Sequence, residues 1–465
     1  MSGAGKTDVV VIGGGPAGMT AAIEATRSGR RVTLVTEAPL GGRAMNASLL
    51  PSKLLLHLAE LRVRRGERGL ASVATIADLT EGIDRTIAHQ AMRASERLSD
   101  AGVSVVHGLA RFTGPNELAV EREGGARAMT FSRAIVATGS VPSFPEGFFG
   151  DRLGPDGEVI FAPRFVRTLR SLPRTMLVIG GGATGTEAVS AFVDLGVEVT
   201  WLLDDLGILP RFDRELASSL GDVLMERGVK IVHGKRVLSV TRDPRPDAPA
   251  DQRVLAKLDG GRTYAGERAF VAIGRRGDVA RLDPERVGLD VDVATGTLRV
   301  DAEGRTSAPH VFAVGDAAGP PFTANEAMAR AYVAARRATD RDAPPSPRAA
   351  RIEAVYARPE IARVGLTPQD AVRGGASFEV RVTTFESSLR GVMEGSGFDP
   401  HARGTLKVVL DAGERLVGAS AIGPRASEVL APIATAIHLG ARAEDLRGLF
   451  LAEPTLCGLA LDALR

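Results

Sequence analysis

Two glycine-rich turns, each set between an apolar strand and a helix, constrain this chain more than any other feature. The first follows Val9-Val10-Val11-Ile12 and reads Gly13-Gly14-Gly15-Pro16-Ala17-Gly18; a helix is expected from near Met19, and then a strand over Arg31–Val35. The same order returns as Met176–Ile179, Gly180-Gly181-Gly182-Ala183-Thr184-Gly185, a helix, and the strand Val197–Leu203. Strand, turn, helix and strand in succession make a βαβ unit, because parallel strands need a crossover to join them. One such turn is weak evidence, but two in the same frame, a domain's length apart, specify two dinucleotide-type units.

A chain of 465 residues is too long for a single core, and its length suggests about three domains. Between the two turns the pattern predicts a helix from Leu54 to about Arg64, an amphipathic stretch from Ile76 to Leu98, and strands near Val103–Val106 and Leu118–Val120. Ala134–Val136 then runs into Ala137-Thr138-Gly139-Ser140, a strand-to-turn junction. The Pro- and Asp-rich stretch Asp243–Asp251 is expected to be a surface hairpin loop. A third glycine junction, Val311–Asp316, leads to a helix from about Asn325. The prolines of Asp340–Arg348 mark a linker. Beyond it the strand-like runs Leu406–Leu410 and Leu416–Ile422 precede helices, the order of an α+β domain. The expected fold class is therefore α/β, with two Rossmann-like dinucleotide-binding domains and a C-terminal α+β domain.

A net charge of +2, from 58 basic and 56 acidic residues, supplies no field that would draw the chain to nucleic acid or anionic lipid. With one Trp and three Tyr, platforms for stacking bases are not expected either. The apolar runs are far shorter than the roughly 20 residues of a membrane span, and the N-terminus shows no signal pattern, so a cytoplasmic location is expected. The histidines at 57, 89, 107, 233, 310, 401 and 438 show no metal-ligand spacing, and no metal is expected. His57 is expected to pack on its helix face. The single cysteine, Cys457, rules out an intrachain disulfide.

In the first turn Gly13 permits the bend, Gly15 admits a pyrophosphate against the helix N-terminus, and Gly18 allows helix and strand to approach. Thr36 and Glu37 end the next strand, where a carboxylate holds a ribose hydroxyl pair. The equivalent end in the second unit is Leu203-Asp204-Asp205, with carboxylates and no arginine. Carboxylates repel the extra phosphate of NADP, which leans the reading to NADH; a plain solvated turn is the other reading, and both stay open.

Gly13–Gly18, Gly41-Gly42, Pro51-Ser52-Lys53, Ala137-Thr138-Gly139, Gly180–Glu187, Gly274-Arg275-Arg276, Gly315-Asp316 and Arg358–Thr367 stand in an order that resembles the pyridine nucleotide-disulfide oxidoreductases, of the dihydrolipoamide dehydrogenase, mercuric reductase and glutathione reductase type. The resemblance spans essentially the whole chain. It implies an FAD-binding domain over 1–147 and 272–345, an NAD(P)-binding domain over 148–271, and a C-terminal dimer-interface domain over 346–465, in a homodimer. It implies FAD contacts from Gly13, Gly15, Pro16, Ala17, Gly18, Thr36, Glu37, Gly42, Arg43, Lys53, Ala137, Thr138, Gly139, Gly315 and Asp316, the last on the ribityl chain. Pyridine nucleotide contacts fall to Gly180, Gly182, Gly185 and Asp204, and further cofactor contacts to Gly274 and Arg275. Lys53 and Glu187 match an ion pair beside the flavin, its ammonium near N5.

Departures from the family decide the chemistry. The places of its redox-active cysteine pair hold Ala44 and Leu49, neither of them a nucleophile. Its proton-handling His-Pro-Thr reads Glu453-Pro454-Thr455, and the glutamate that orients the histidine is Gly458. A histidine that protonates a thiolate has no task once the thiol is gone, so both losses fit together. The leading expectation is NAD(P)H-dependent reduction of FAD, with electrons passing directly to a small quinone-like acceptor. Transhydrogenation, oxidase activity, and oxidation of a small metabolite with a buried Glu453 as proton acceptor stay open. A non-catalytic FAD-binding regulator is the reading of another class. Cys457 is expected to be a small packing residue, and Arg43 and Asn46 either bind a polar acceptor or only shape their loop.

Overall fold

The computed structural model describes residues 5–66, 75–343, 347–375, 377–396 and 404–465. It divides into two compact units, one from Met1–Ser52, Ala77–Ser143 and Gly274–Ser346, the other from Lys53–Ile76, Phe144–Ile273 and Pro347–Arg465. His401 and residues 344–346 of the expected linker lie outside the described residues.

The first unit is built on a parallel sheet in which Ser104–His107, Val32–Thr36, Gly5–Ile12 and Gly125–Val136 lie in that order, with Val311–Ala313 paired to the last. Glu117–Arg122 and Leu109–Gly114 extend it antiparallel. Both faces are covered, which is why the first strand reads as an unbroken apolar run. Val9 and Val11 enter one core with Leu34 and Phe312, whereas Val10 and Ile12 enter the opposite one with Phe112, Ala134 and Val311. On the first face the helices Pro16–Thr26 and Ala324–Ala338 meet through alanines, Ala21, Ala22 and Ala25 with Ala331, Ala334, Ala335 and Ala338. Small side chains let two helices and a sheet share one narrow layer.

The second unit repeats the pattern with Lys230–Val232, Glu198–Leu202, Thr175–Ile179, Arg268–Val271 and Ile160–Phe161, all parallel. Val237–Arg242 and Val254–Leu258 pair antiparallel across the Asp243–Asp251 loop, the expected hairpin. The C-terminal sheet is antiparallel, in the order Glu353–Val355, Glu360–Gly365, Leu416–Gly423, Thr405–Asp411 and Phe378–Thr384. Helices Ala426–Val429 and Ala431–Leu439 pack on it through Val429 and Ile433.

Two helix starts differ from expectation. The first helix begins at Pro16 and not at Met19, because a proline at the first helical position forfeits an amide that has no intrahelical acceptor. The second begins at Leu49 and not at Leu54, entered from a π-turn over Ala44–Ser48. That wider turn delivers Pro51 into a helix in which its ring offers no amide hydrogen.

Within the second unit a buried cation links distant segments: Lys407 Nζ lies 3.3 Å from Asp213 Oδ1 and 2.5 Å from Glu215 Oε2. Asp213 also caps the helix Arg214–Glu226, accepting the Leu216 amide at 3.0 Å. Removing it would strand a buried ammonium and uncap a helix together. Asp213→Ala is expected to cost about 4 kcal/mol in urea unfolding, and Lys407→Met, which leaves the buried Asp213 carboxylate without its cation but keeps the cap, about 3 kcal/mol.

Candidate dinucleotide sites and their charged surroundings

The two glycine turns repeat one geometry. Gly13 has φ +117° and Gly180 φ +109°, and a Cβ on either would strike a carbonyl oxygen of the neighbouring strand's exit, Ala137 or Ala272. A Cβ on Gly18 or Gly185 would strike the carbonyl of Gly13 or Gly180. Gly15 and Gly182 are the helix N-caps, at nearly the same φ and ψ, and face open space. Each turn thus presents unpaired amides at a helix N-terminus with room above them, the arrangement that receives a pyrophosphate. Gly42 belongs to the first site, since its Cβ would lie 2.8 Å from Gly15 Cα. In the second, Trp201 is fully buried and its Nε1 donates to Gly180 O at 2.9 Å, fixing the turn from below.

The strand ends differ between the sites. Thr36 is buried and donates to Ala38 O at 2.8 Å, while Glu37 takes both guanidinium nitrogens of Arg281, at 2.7 and 2.9 Å. That hydrogen bond holds Arg281 above its ordinary value. In the second unit Leu203 is fully buried and Asp204 Oδ1 accepts the Leu206 amide at 3.1 Å, which turns the chain and leaves the carboxylate at the surface.

At the mouth of the first sheet, three segments converge on the Ala137–Ser140 turn. Arg275 Nε donates to Ser140 Oγ at 2.8 Å and its Nη2 to Ser140 O at 3.1 Å; Ser140 Oγ in turn donates to Asp316. Arg275 Nε is 3.9 Å from Asp316 Oδ2. Burial pushes this guanidinium below its ordinary value, with Asp316 opposing and Arg43 reinforcing the shift. Arg43 donates to Thr138 O at 2.7 Å and pairs with Asp278, whose amide donates to Gly139 O at 3.0 Å. Thr138 Oγ1 is buried and has no hydrogen-bond partner among the described residues. An orphaned hydroxyl in a ring of charged groups beside an open glycine turn suits the polar flank of a dinucleotide, and these residues fit FAD. Ser140, Asp278 and Arg281 were not picked out from sequence. Ser140 and Asp278 adjoin motifs that were, which is the signal that could have found them; Arg281 has none, since its partner is far off in sequence.

In the second unit Lys53 Nζ donates to both oxygens of Glu187 at 2.7 Å. Tyr356 completes the cluster, its amide donating to Glu187 Oε1 at 3.1 Å and its ring centroid 4.8 Å from the ammonium. Tyr356 carried no motif signal.

The vacated thiol places are the two ends of the π-turn, with the Leu49 amide donating to Ala44 O. Asn46 shapes its loop, its Nδ2 donating to the carbonyls of Pro39 (3.0 Å), Leu40 (3.3 Å) and Gly42 (2.9 Å). Glu453 is exposed on the single chain, which does not supply the burial that a proton-accepting role calls for. A Cβ on Gly458 would lie 3.2 Å from Glu453 Oε1, so a second carboxylate there would crowd the first. Cys457 Sγ points to Glu428 O at 3.5 Å, and burial, with Glu428, pushes the thiol up, away from a reactive thiolate. His57 stands exposed and does not pack on its helix face. Among the described residues no group of three or more His, Cys, Asp or Glu could hold a metal, and no helix is long and apolar enough to cross a membrane.

Two glycine-turn sites of matched geometry, one flanked by a polar ring and the other by a lysine–carboxylate pair, define an oxidoreductase that binds FAD and a pyridine nucleotide. Residues 7–338 match the model of pyridine nucleotide-disulphide oxidoreductases and residues 352–460 that of their dimerisation domain, and the chain belongs to this family. It is 34% identical to a dihydrolipoyl dehydrogenase of Thermus scotoductus, covering 98% of this chain and 96% of the relative. It is 33% identical to dihydrolipoyl dehydrogenase 2 of Haloarcula marismortui, covering 97% and 94%. The crystal structure of LpdA from Mycobacterium tuberculosis superposes with a TM-score of 0.89 at 28% identity, over 98% of this chain and 99% of that one. A HOCl-induced flavoprotein disulfide reductase, RclA of Escherichia coli, shares the fold at 24% identity and a TM-score of 0.85, over 99% of both chains.

The two turns are separable by substitution. Gly18→Val is expected to yield protein depleted of FAD by at least about tenfold in visible absorbance, since a side chain there collides with backbone. Gly185→Val is expected to retain FAD and lose binding of the pyridine nucleotide, read by calorimetric titration.

Proposed function

We propose that this chain is an NAD(P)H-dependent flavoprotein reductase that delivers electrons directly to a small quinone-like organic acceptor. The observation that carries this reading is the pairing of an intact Lys53–Glu187 site and two open glycine turns with a single cysteine per chain. A dithiol needs two sulfurs, and one cysteine per chain cannot close an intrachain disulfide, so the activity in the relatives' names is not carried over. When bound, the flavin supplies the chemistry: it accepts hydride from the nicotinamide and passes electrons on.

The chain's own part is binding and electrostatics. Lys53, fixed by both Glu187 oxygens and the Tyr356 ring, offers a preorganised positive charge that favours an electron-rich ring. Asp204 and Asp205 at the second strand end disfavour a 2′-phosphate and select NADH over NADPH. Leu49 and Ala44 replace nucleophiles by apolar surface, against which a flat, weakly polar acceptor loses little in desolvation. We assign 1–147 with 272–345 to FAD, 148–271 to the pyridine nucleotide and 346–465 to pairing with a second copy.

Anaerobic stopped-flow mixing with NADH is expected to bleach the flavin band within one turnover; a band that stays oxidised would end this reading. An acceptor panel of quinones, oxygen and thio-nicotinamide nucleotides then ranks direct reduction against oxidase and transhydrogenase activity. Cys457→Ser is expected to keep quinone reduction within about twofold of the native rate, because its thiol is directed to a carbonyl and takes no part. NADH is expected to exceed NADPH in kcat/KM by about tenfold, or about 1.4 kcal/mol.

A further inference from the structure

The turn that carries the vacated thiol places is not held by burial. None of Ala44–Ser48 is buried, and the side-chain bonds of Asn46 and Ser48 run to carbonyls of the same loop, Ser48 Oγ reaching Arg43 O at 3.1 Å. These bonds make residues 39–48 stiff within themselves. They do not place the loop on the rest of the unit. Gly41 does so at the loop's start, its amide donating to Gly14 O at 2.9 Å, and Gly42 packs on Gly15. Beyond that, Arg43 takes over, bonding the Thr138 carbonyl at 2.7 Å and pairing with Asp278 across 235 residues of sequence. Asp278 is itself tied to the same turn through its amide and Gly139 O.

We propose that Arg43 and Asp278 are a positioning pair that pins the Ala44–Ser48 turn, and with it Leu49, to the Ala137–Ser140 turn, and so fixes the apolar place at which the acceptor is received. The role rests on direct reduction of a small acceptor. Its physical basis is that both partners are partly buried, with side chains 30% and 17% exposed, so the pair is screened less than a surface bridge. A guanidinium that bonds a carbonyl and a carboxylate together also fixes orientation, which a lysine could not do as well. Removing Arg43 leaves the turn tethered at Gly41 and Gly42, and removing Asp278 leaves Arg43 on the Thr138 carbonyl without its carboxylate.

Amide hydrogen exchange over residues 44–49 in the full-length dimer, with FAD bound and with FAD removed, tests the pair, and the amides of Gly5–Ile12 serve as internal reference. Arg43→Ala and Asp278→Ala are each expected to speed exchange in the turn about tenfold, and the double variant no more than the faster single. Asp278→Asn, which keeps the shape and an acceptor oxygen, is expected to speed it about threefold and guards against a variant that fails to fold. The quinone KM is expected to rise about fivefold in Asp278→Asn, while the reference amides stay at their native rate. Native exchange over 44–49 in either alanine variant, or a double effect equal to the product of the singles, would overturn the pair. Because exchange is read without turnover, a native flavin that NADH fails to bleach would end the functional reading and leave the pair standing; native exchange would do the reverse.

Discussion

Clearance between backbones at the glycine turns is the constraint on which the rest of this structure depends. At both turns a carbonyl lies where a Cβ would be, because the exit of the neighbouring strand runs close to the glycine turn. Had any of these four glycines carried a side chain, helix and strand would have to separate, and the open space above Gly15 and Gly182 would lose its floor of amides. The alanine contact between Pro16–Thr26 and Ala324–Ala338 extends the same economy of volume away from the site. Close approach of backbone is what converts an ordinary βαβ unit into a seat for a pyrophosphate.

Around these seats the chain relies on opposed charges drawn from remote segments. Arg43 with Asp278, Arg275 with Asp316 and Arg281 with Glu37 close the first unit, and Lys53 with Glu187 marks the second. Their environments differ, and so do their consequences. Glu37 and Arg281 are half in solvent and contribute little to stability. Arg275, with its guanidinium pushed down by burial, and Arg43, bonded to a carbonyl, are held firmly enough to orient their neighbours.

The absence of the family's cysteine pair is accompanied by changes in each of the two units. Ala44 and Leu49 close a π-turn, Glu453 leans over Gly458, and Cys457 faces a carbonyl, with burial pushing its thiol up. Each change is compatible with its partner: an apolar turn needs no general acid, and a carboxylate at 453 is best served by no carboxylate at 458. The family architecture therefore survives without its relay, because fold and cofactor seats depend on backbone contacts that do not involve sulfur.

Sequence by itself determined the two dinucleotide units, an α+β C-terminal domain, the hairpin across Asp243–Asp251 and the impossibility of an intrachain disulfide. These follow from local rules, glycine spacing, apolar periodicity and a residue count, which need no knowledge of what lies across the fold. Helix starts at Pro16 and Leu49 escaped because proline tolerance depends on which amides are already unpaired. Only the tertiary structure decided that Arg43 answers Asp278, that Glu37 answers Arg281, that Tyr356 clamps Lys53 and that His57 faces water. Such pairings join residues far apart along the chain, and a charge shows its partner only once the sheets have brought the two within hydrogen-bonding reach.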